Sequence, residues 1–221
     1  MIETGVLFDD IHSFRDLNLV LAPFVLPPAK PKSKYIDVPG GDGSIDATEA
    51  TSEVKYNDRE FSFTFTVFPK DTLTFEERQT VVSNALNGKR CKITIEKDPD
   101  YYLIGRCTVN EHLADKRLRQ IVVSVRVAPY KLKQQKTVLS FDFLDFEEKT
   151  IILPNSKKRV VPSISTNGSA YIYFEGKSIP VSSSEPTKYM DIQLKEGENI
   201  LTLKPYSSPL TVEFSYQEGD L

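Results

Sequence analysis

The sequence predicts a mainly-β protein in two parts. The first is an amino-terminal α+β domain, an antiparallel sheet or split barrel with one helix, and the second is a carboxy-terminal β-sandwich. Three observations carry this. Phe61, Phe63, Phe65 and Val67 alternate with Ser62, Thr64 and Thr66, and period-two alternation marks a strand with one buried face. One segment alone, residues 75–87, combines helical spacing with end signals. Beyond Lys136 the helical pattern stops, and short strands separated by turn residues recur.

The opening, Thr4 to Leu26, alternates short apolar and charged stretches. Pro27, Pro28 and Pro31 then fall within five residues, which removes backbone donors and favours an extended surface arm. From Leu26 to Asn57 the chain offers little apolar material, and an ordered loop of that length is usually functional or packs against something else. Within it, Pro39-Gly40-Gly41-Asp42-Gly43 is a tight turn. Its glycines permit positive φ, and Asp42 is available to bond its own backbone.

After the aromatic strand, Thr74 and Glu77 form a capping box, Glu76 and Glu77 face the positive helix end, and Gly88 stops the helix. Phe75, Arg78 or Gln79, Val81, Val82, Ala85 and Leu86 trace its apolar face, which should lie across a sheet. A hairpin is expected next, Cys91–Ile95 and Tyr101–Ile104 joined by Glu96–Asp100, with further strands at Cys107–Val109 and Ile121–Val127. From Pro129 to Lys136 apolar spacing gives way to lysine and glutamine, a domain boundary; the domains are expected at 1–132 and 137–221. Second-domain strands are expected at Val138–Phe143, Thr150–Leu153, Val160–Ser165, Ala170–Phe174, Met190–Leu194, Asn199–Leu203 and Leu210–Tyr216.

Charge and composition exclude several classes. A net charge of -3, with the second half mildly acidic, gives no global attraction to nucleic acid or acidic membranes. No run approaches the ~20 apolar residues of a membrane span, and no signal peptide is visible at the amino terminus. Two cysteines are too few for a disulfide framework and fit synthesis in a reducing cytoplasm. No catalytic site, cofactor or metal is expected.

Each chemical candidate has a plainer reading. His12 and His112 share no ligand spacing and are expected at the surface. Cys91 and Cys107 fall on neighbouring strands and are expected to be small buried thiols. Asp42, Asp46, Glu49 and Glu53 fit no calcium loop. Asp142, Asp145, Glu147 and Glu148 are too loosely placed for a glycosidase pair and suit a solvated strand edge. Lys157-Lys158-Arg159 is too small for a nucleic-acid patch. Tyr171 and Tyr173 share one strand face and are the candidate ligand surface for a sugar, although the absence of tryptophan weighs against it.

Taken together, Pro39–Gly43 ahead of the Phe61–Phe68 strand, the helix at Thr74–Gly88 closing in Leu-Asn-Gly, Asp98–Tyr102 and Val125–Tyr130 resemble the distal tail protein family of long-tailed phages and prophages. The resemblance covers about the first 130 residues. In the second half only Gly197–Leu201 resembles the family's late turn. Gly41 stands where the family often has a bulkier residue, and Ala85 where it often has tryptophan.

The resemblance implies a non-enzymatic virion protein at the tail tip, made in the bacterial host cytoplasm. It implies a hexameric ring formed by the amino-terminal domains. One ring face would join the tail tube protein and the other a tail-associated lysin, fibre or receptor-binding protein. It also implies a galectin-like or carbohydrate-module-like outer domain. Under this reading Pro27, Pro28, Pro31, Tyr35, Pro39, Gly40, Gly41, Asp42 and Gly43 are candidate subunit-interface residues. The alternative is a carbohydrate-binding module protein acting in host-surface attachment.

Overall fold

The computed structural model describes residues 5–48, 50, 53–67, 72–115 and 119–221, with side chains undescribed at 111–115. Two compact units, Met1–Lys131 and Leu132–Leu221, divide the chain. The fold is mainly β with one helix among the described residues, as the alternation patterns predict.

The first unit holds β1 (Val6–Phe8), β2 (Ile11–His12), β3 (Leu19–Leu21), β4 (Tyr35–Asp37), β5 (Ser44–Asp46), β6 (Arg59–Val67), α1 (Phe75–Leu86), β7 (Arg90–Ile95), β8 (Tyr101–Asp115) and β9 (Gln120–Val127). Its main sheet runs β2-β1-β7-β8-β9-β6-β3 with every pair antiparallel. The sheet is curled. Its edge strands β2 and β3 are only six residues apart in sequence, and the Leu19 N–H donates to the Ser13 carbonyl at 2.8 Å. Phe8 on β1 therefore meets Phe63 and Phe65 on β6 although three strands separate them, with ring centroids 5.9 and 6.4 Å apart.

Helix α1 closes this core. Thr74 and Glu77 form the reciprocal capping box, and Gly88 follows the C-cap with φ of 74°. The Gly88 N–H donates to the Cys107 carbonyl at 2.9 Å, and the Val109 N–H to Asn87 Oδ1 at 3.0 Å, which sews the helix end to β8. Phe75, Arg78, Val82 and Leu86 are buried. Val81, expected on that face, is exposed because it lies a third of a turn away.

The second unit follows β10 (Lys131–Lys133) and holds β11 (Thr137–Phe143), β12 (Lys149–Asn155), β13 (Ser163–Thr166), β14 (Ala170–Phe174), β15 (Lys177–Val181), β16 (Thr187–Lys188), β17 (Gly197–Pro205), β18 (Leu210–Tyr216) and β19 (Gly219–Asp220). Two four-stranded sheets, β11-β18-β13-β16 and β12-β17-β14-β15, share one core that includes Phe143, Phe214, Ile172 and Leu203. The strand expected at Met190–Leu194 is a turn segment, with only Leu194 bridged to Val160. Lys177–Val181 forms a strand instead, pairing with β14 after a turn whose Glu175 and Gly176 both have positive φ.

A buried carboxylate in this unit has no signature in the sequence. Glu218 is 7% exposed and accepts bonds from the Ser156 N–H and hydroxyl, the Thr137 hydroxyl and the Lys133 ammonium. Burial pushes its pKa up, but the bonds from Ser156, Thr137 and Lys133 outweigh burial and hold it below the ordinary glutamate value. A depressed folded pKa stabilises above the unfolded pKa, and that stability is lost as pH falls through the folded value. Glu218→Gln should therefore cost on the order of 1–3 kcal/mol at neutral pH. It should also make the second unit's loss of stability less steep below about pH 4.5 in urea melts taken across pH. A variant with an unchanged acid profile would refute this role.

Candidate interface arm and aromatic platform

The proline-rich segment and the glycine turn together form an arm. At its root, Pro31 bridges Tyr56, the Lys32 N–H donates to the Lys55 carbonyl at 2.7 Å, and the Asn57 N–H to the Lys30 carbonyl at 2.9 Å. Arg59 on β6 anchors this root: its Nε donates to the Pro129 carbonyl at 2.8 Å and its Nη1 to the Pro27 carbonyl at 3.2 Å. Only 4% of Arg59 is exposed, and desolvation lowers its pKa. Nothing in the sequence singled it out, since an arginine beginning an alternating strand ordinarily reads as a solvated end.

Farther out, among the described residues β4 and β5 pair only with each other, in the register Tyr35↔Asp46, Ile36↔Ile45 and Asp37↔Ser44. The Gly41 N–H donates to the Val38 carbonyl at 3.0 Å, with Pro39 second in the turn and Gly40 third at φ of 75°. Proline then a positive-φ glycine is what a type II turn requires. Among the described residues Asp42 makes no backbone bond; that part falls to Asp46, whose carboxylate accepts from the Thr48 N–H at 2.9 Å and is held at a lowered pKa by Thr48. Ser44 donates to Asp37 across the pair at 2.7 Å.

Every residue from Pro31 to Asp46 is exposed. Ile36 and Ile45 stand opposite one another with Val38 two residues along, so one face of the hairpin is apolar and uncovered. This face was legible only as a short Ile-x-Val alternation inside a polar stretch.

In the second unit, Tyr171 and Tyr173 lie on the outward face of β14, each about a third exposed. Tyr206, which the sequence did not flag, packs edge-on to Tyr171 with centroids 5.3 Å apart. Lys204 stands opposite Tyr171 and pairs with Glu148 at 3.0 Å.

The remaining candidates are structural. His12 is buried, contrary to the surface position expected of it. Its Nδ1 accepts from the Phe14 and Arg15 N–H groups at 3.1 Å, so its Nε2 carries the proton it donates to Glu96 at 2.9 Å. The Gly5 N–H donates to the same carboxylate at 2.6 Å, and this bond, followed by that of His12, holds the Glu96 pKa low. Cys91 and Cys107 are buried free thiols, and burial pushes Cys107 up to about 12. Asp142 accepts from the Thr211 hydroxyl at 2.7 Å, and Asp145 lies 3.6 Å from Lys149. Among the described residues no cluster of His, Cys, Asp or Glu suits a metal ion. Glu49 and the side chain of His112 lie outside the described residues.

No family model matches the chain, and no curated protein is significantly similar in sequence. A solved structure is similar in fold: that of SPP1 Dit (gp 19.1), described as a paradigm of the hub adsorption apparatus in phages infecting Gram-positive bacteria. The likeness has a TM-score of 0.67 at 13% identity and covers 99% of each chain. The chain has the fold of a phage distal tail protein. At that identity the likeness rests on the path of the chain, which it follows through both units.

Proposed function

We propose that this chain is a structural tail-tip protein, a baseplate hub that assembles as a homohexameric ring and joins the tail tube to the tail-associated lysin or fibre protein. Its ring-forming part is the amino-terminal domain, 1–132, and the sandwich at 137–221 is its second domain. It works in the virion, after synthesis in the host cytoplasm, and is not an enzyme. The full-length likeness to a hub protein carries this reading. The arm supports it, because an isolated two-stranded hairpin is marginal in water. An apolar face at Ile36, Val38 and Ile45 gains stability once a second surface covers it.

A second reading keeps carbohydrate as a ligand of the outer domain. Tyr206 beside Tyr171 and Tyr173 widens the aromatic face beyond the pair the sequence offered.

Deleting residues 34–47, the outer part of the arm, should reduce the mass measured by light scattering from that of a multimer to that of a single chain. The melting curve of the remainder should stay cooperative, because the core lacks arm residues. An unchanged oligomer mass would sink the interface assignment. For the second reading, glycan-array binding by the full chain should disappear in Tyr171→Ala and Tyr206→Ala. Absence of any glycan signal from the parent protein would remove that reading.

A further inference from the structure

Arg90, Arg106 and Arg126 stand directly opposite one another on β7, β8 and β9, and all three are exposed. Residues in register share a face and neighbouring strands lie about 4.8 Å apart, so three guanidinium groups form a row roughly 10 Å long. Like charges set directly opposite destabilise a sheet. Yet the carboxylates that answer this row sit at one end only. Glu60 is opposite Arg126, and Arg126 Nε lies 3.0 Å from Asp58 and 3.5 Å from Glu60. Arg106 donates to the Gly88 carbonyl at 2.5 Å. Arg90 and Arg106 have no acidic partner among the described residues.

The row crosses an open trough of about 830 Å³, with Ser62, Thr108 and Ser124 along one side. Gly105 lies in its floor. The trough spans β8 and β9.

We infer that this arginine row is a docking surface for a short acidic polypeptide segment of another protein. Arginine pairs with carboxylates through two parallel N–H···O bonds, and its planar fork loses little freedom in doing so. Acidic residues of the partner lie over Arg90 and Arg106, and a basic residue lies over Glu60 and Asp58. A nucleic-acid backbone fits less well, because phosphates need cations along the whole track. Here the track runs into two carboxylates. The surface is built on the sheet of one chain and stands independently of ring assembly.

The full-length protein titrated into a fluorescein-labelled oligoglutamate peptide at low salt, read by fluorescence anisotropy, tests this. The Arg90→Gln/Arg106→Gln double variant should bind about tenfold more weakly or worse, because both charge-assisted pairs are lost. Glu60→Gln should tighten binding, and Lys195→Gln in the second unit should leave it unchanged. Thermal melts separate docking from a structural role. Relief of repulsion leaves the double variant's melting temperature equal or higher, whereas a fold-supporting role lowers it. Parent-like peptide binding by the double variant overturns the inference. So does a lowered melting temperature, or duplex DNA displacing the peptide at lower concentration than unlabelled peptide does.

Discussion

Phe63 and the rings gathered around it hold the first unit in its curled form. Fully buried, it lies 5.9 Å from Phe8, 4.7 Å from Phe24, 5.3 Å from Phe61 and 6.0 Å from Phe65 between ring centroids. Phe8 reaches it from the far side of the sheet, so these contacts exist only while the sheet curls. Each aromatic pair adds about 0.5–1.5 kcal/mol beyond its buried area. That cluster fixes β6, and β6 in turn begins at Arg59, the residue that grips the root of the arm. A packing constraint in the core thus sets where the arm leaves the unit.

The arm itself adds nothing to that core. Its outer residues are absent from the apolar cluster, while Val6, Leu19, Val82 and Ile121 complete it from elsewhere. A segment that costs conformational entropy to order and covers no core of its own gains little from the core beside it. Much the same holds for the arginine row, where like charges stand in register across three strands at some cost to the sheet. Both features lie on surfaces that the core does not use.

Much of this was legible in residue order. The Phe61–Val67 alternation placed β6, and Thr74, Glu77 and Gly88 placed α1 to within a residue, because capping and pleat are local physics. Long-range burial was not legible. His12 looked like a surface histidine until Glu96, far along the chain, was brought beside it by the β1–β7 pairing. Met190–Leu194 carries apolar residues at strand spacing but lies in a turn; its Ile192 and Leu194 fill the sandwich core without joining either sheet. Arg90, Arg106 and Arg126 are scattered in sequence, and only strand register sets them in a row.

The central claim is that a second chain covers the arm, and hydrogen–deuterium exchange of the backbone amides tests it most directly. Exchange at residues 34–47 would be compared between dilute protein and protein concentrated enough to assemble. The account predicts fast exchange in the dilute sample and clear slowing on assembly, confined to the arm and the surface that receives it. Equally fast exchange in both samples, with assembly verified by mass, would contradict it.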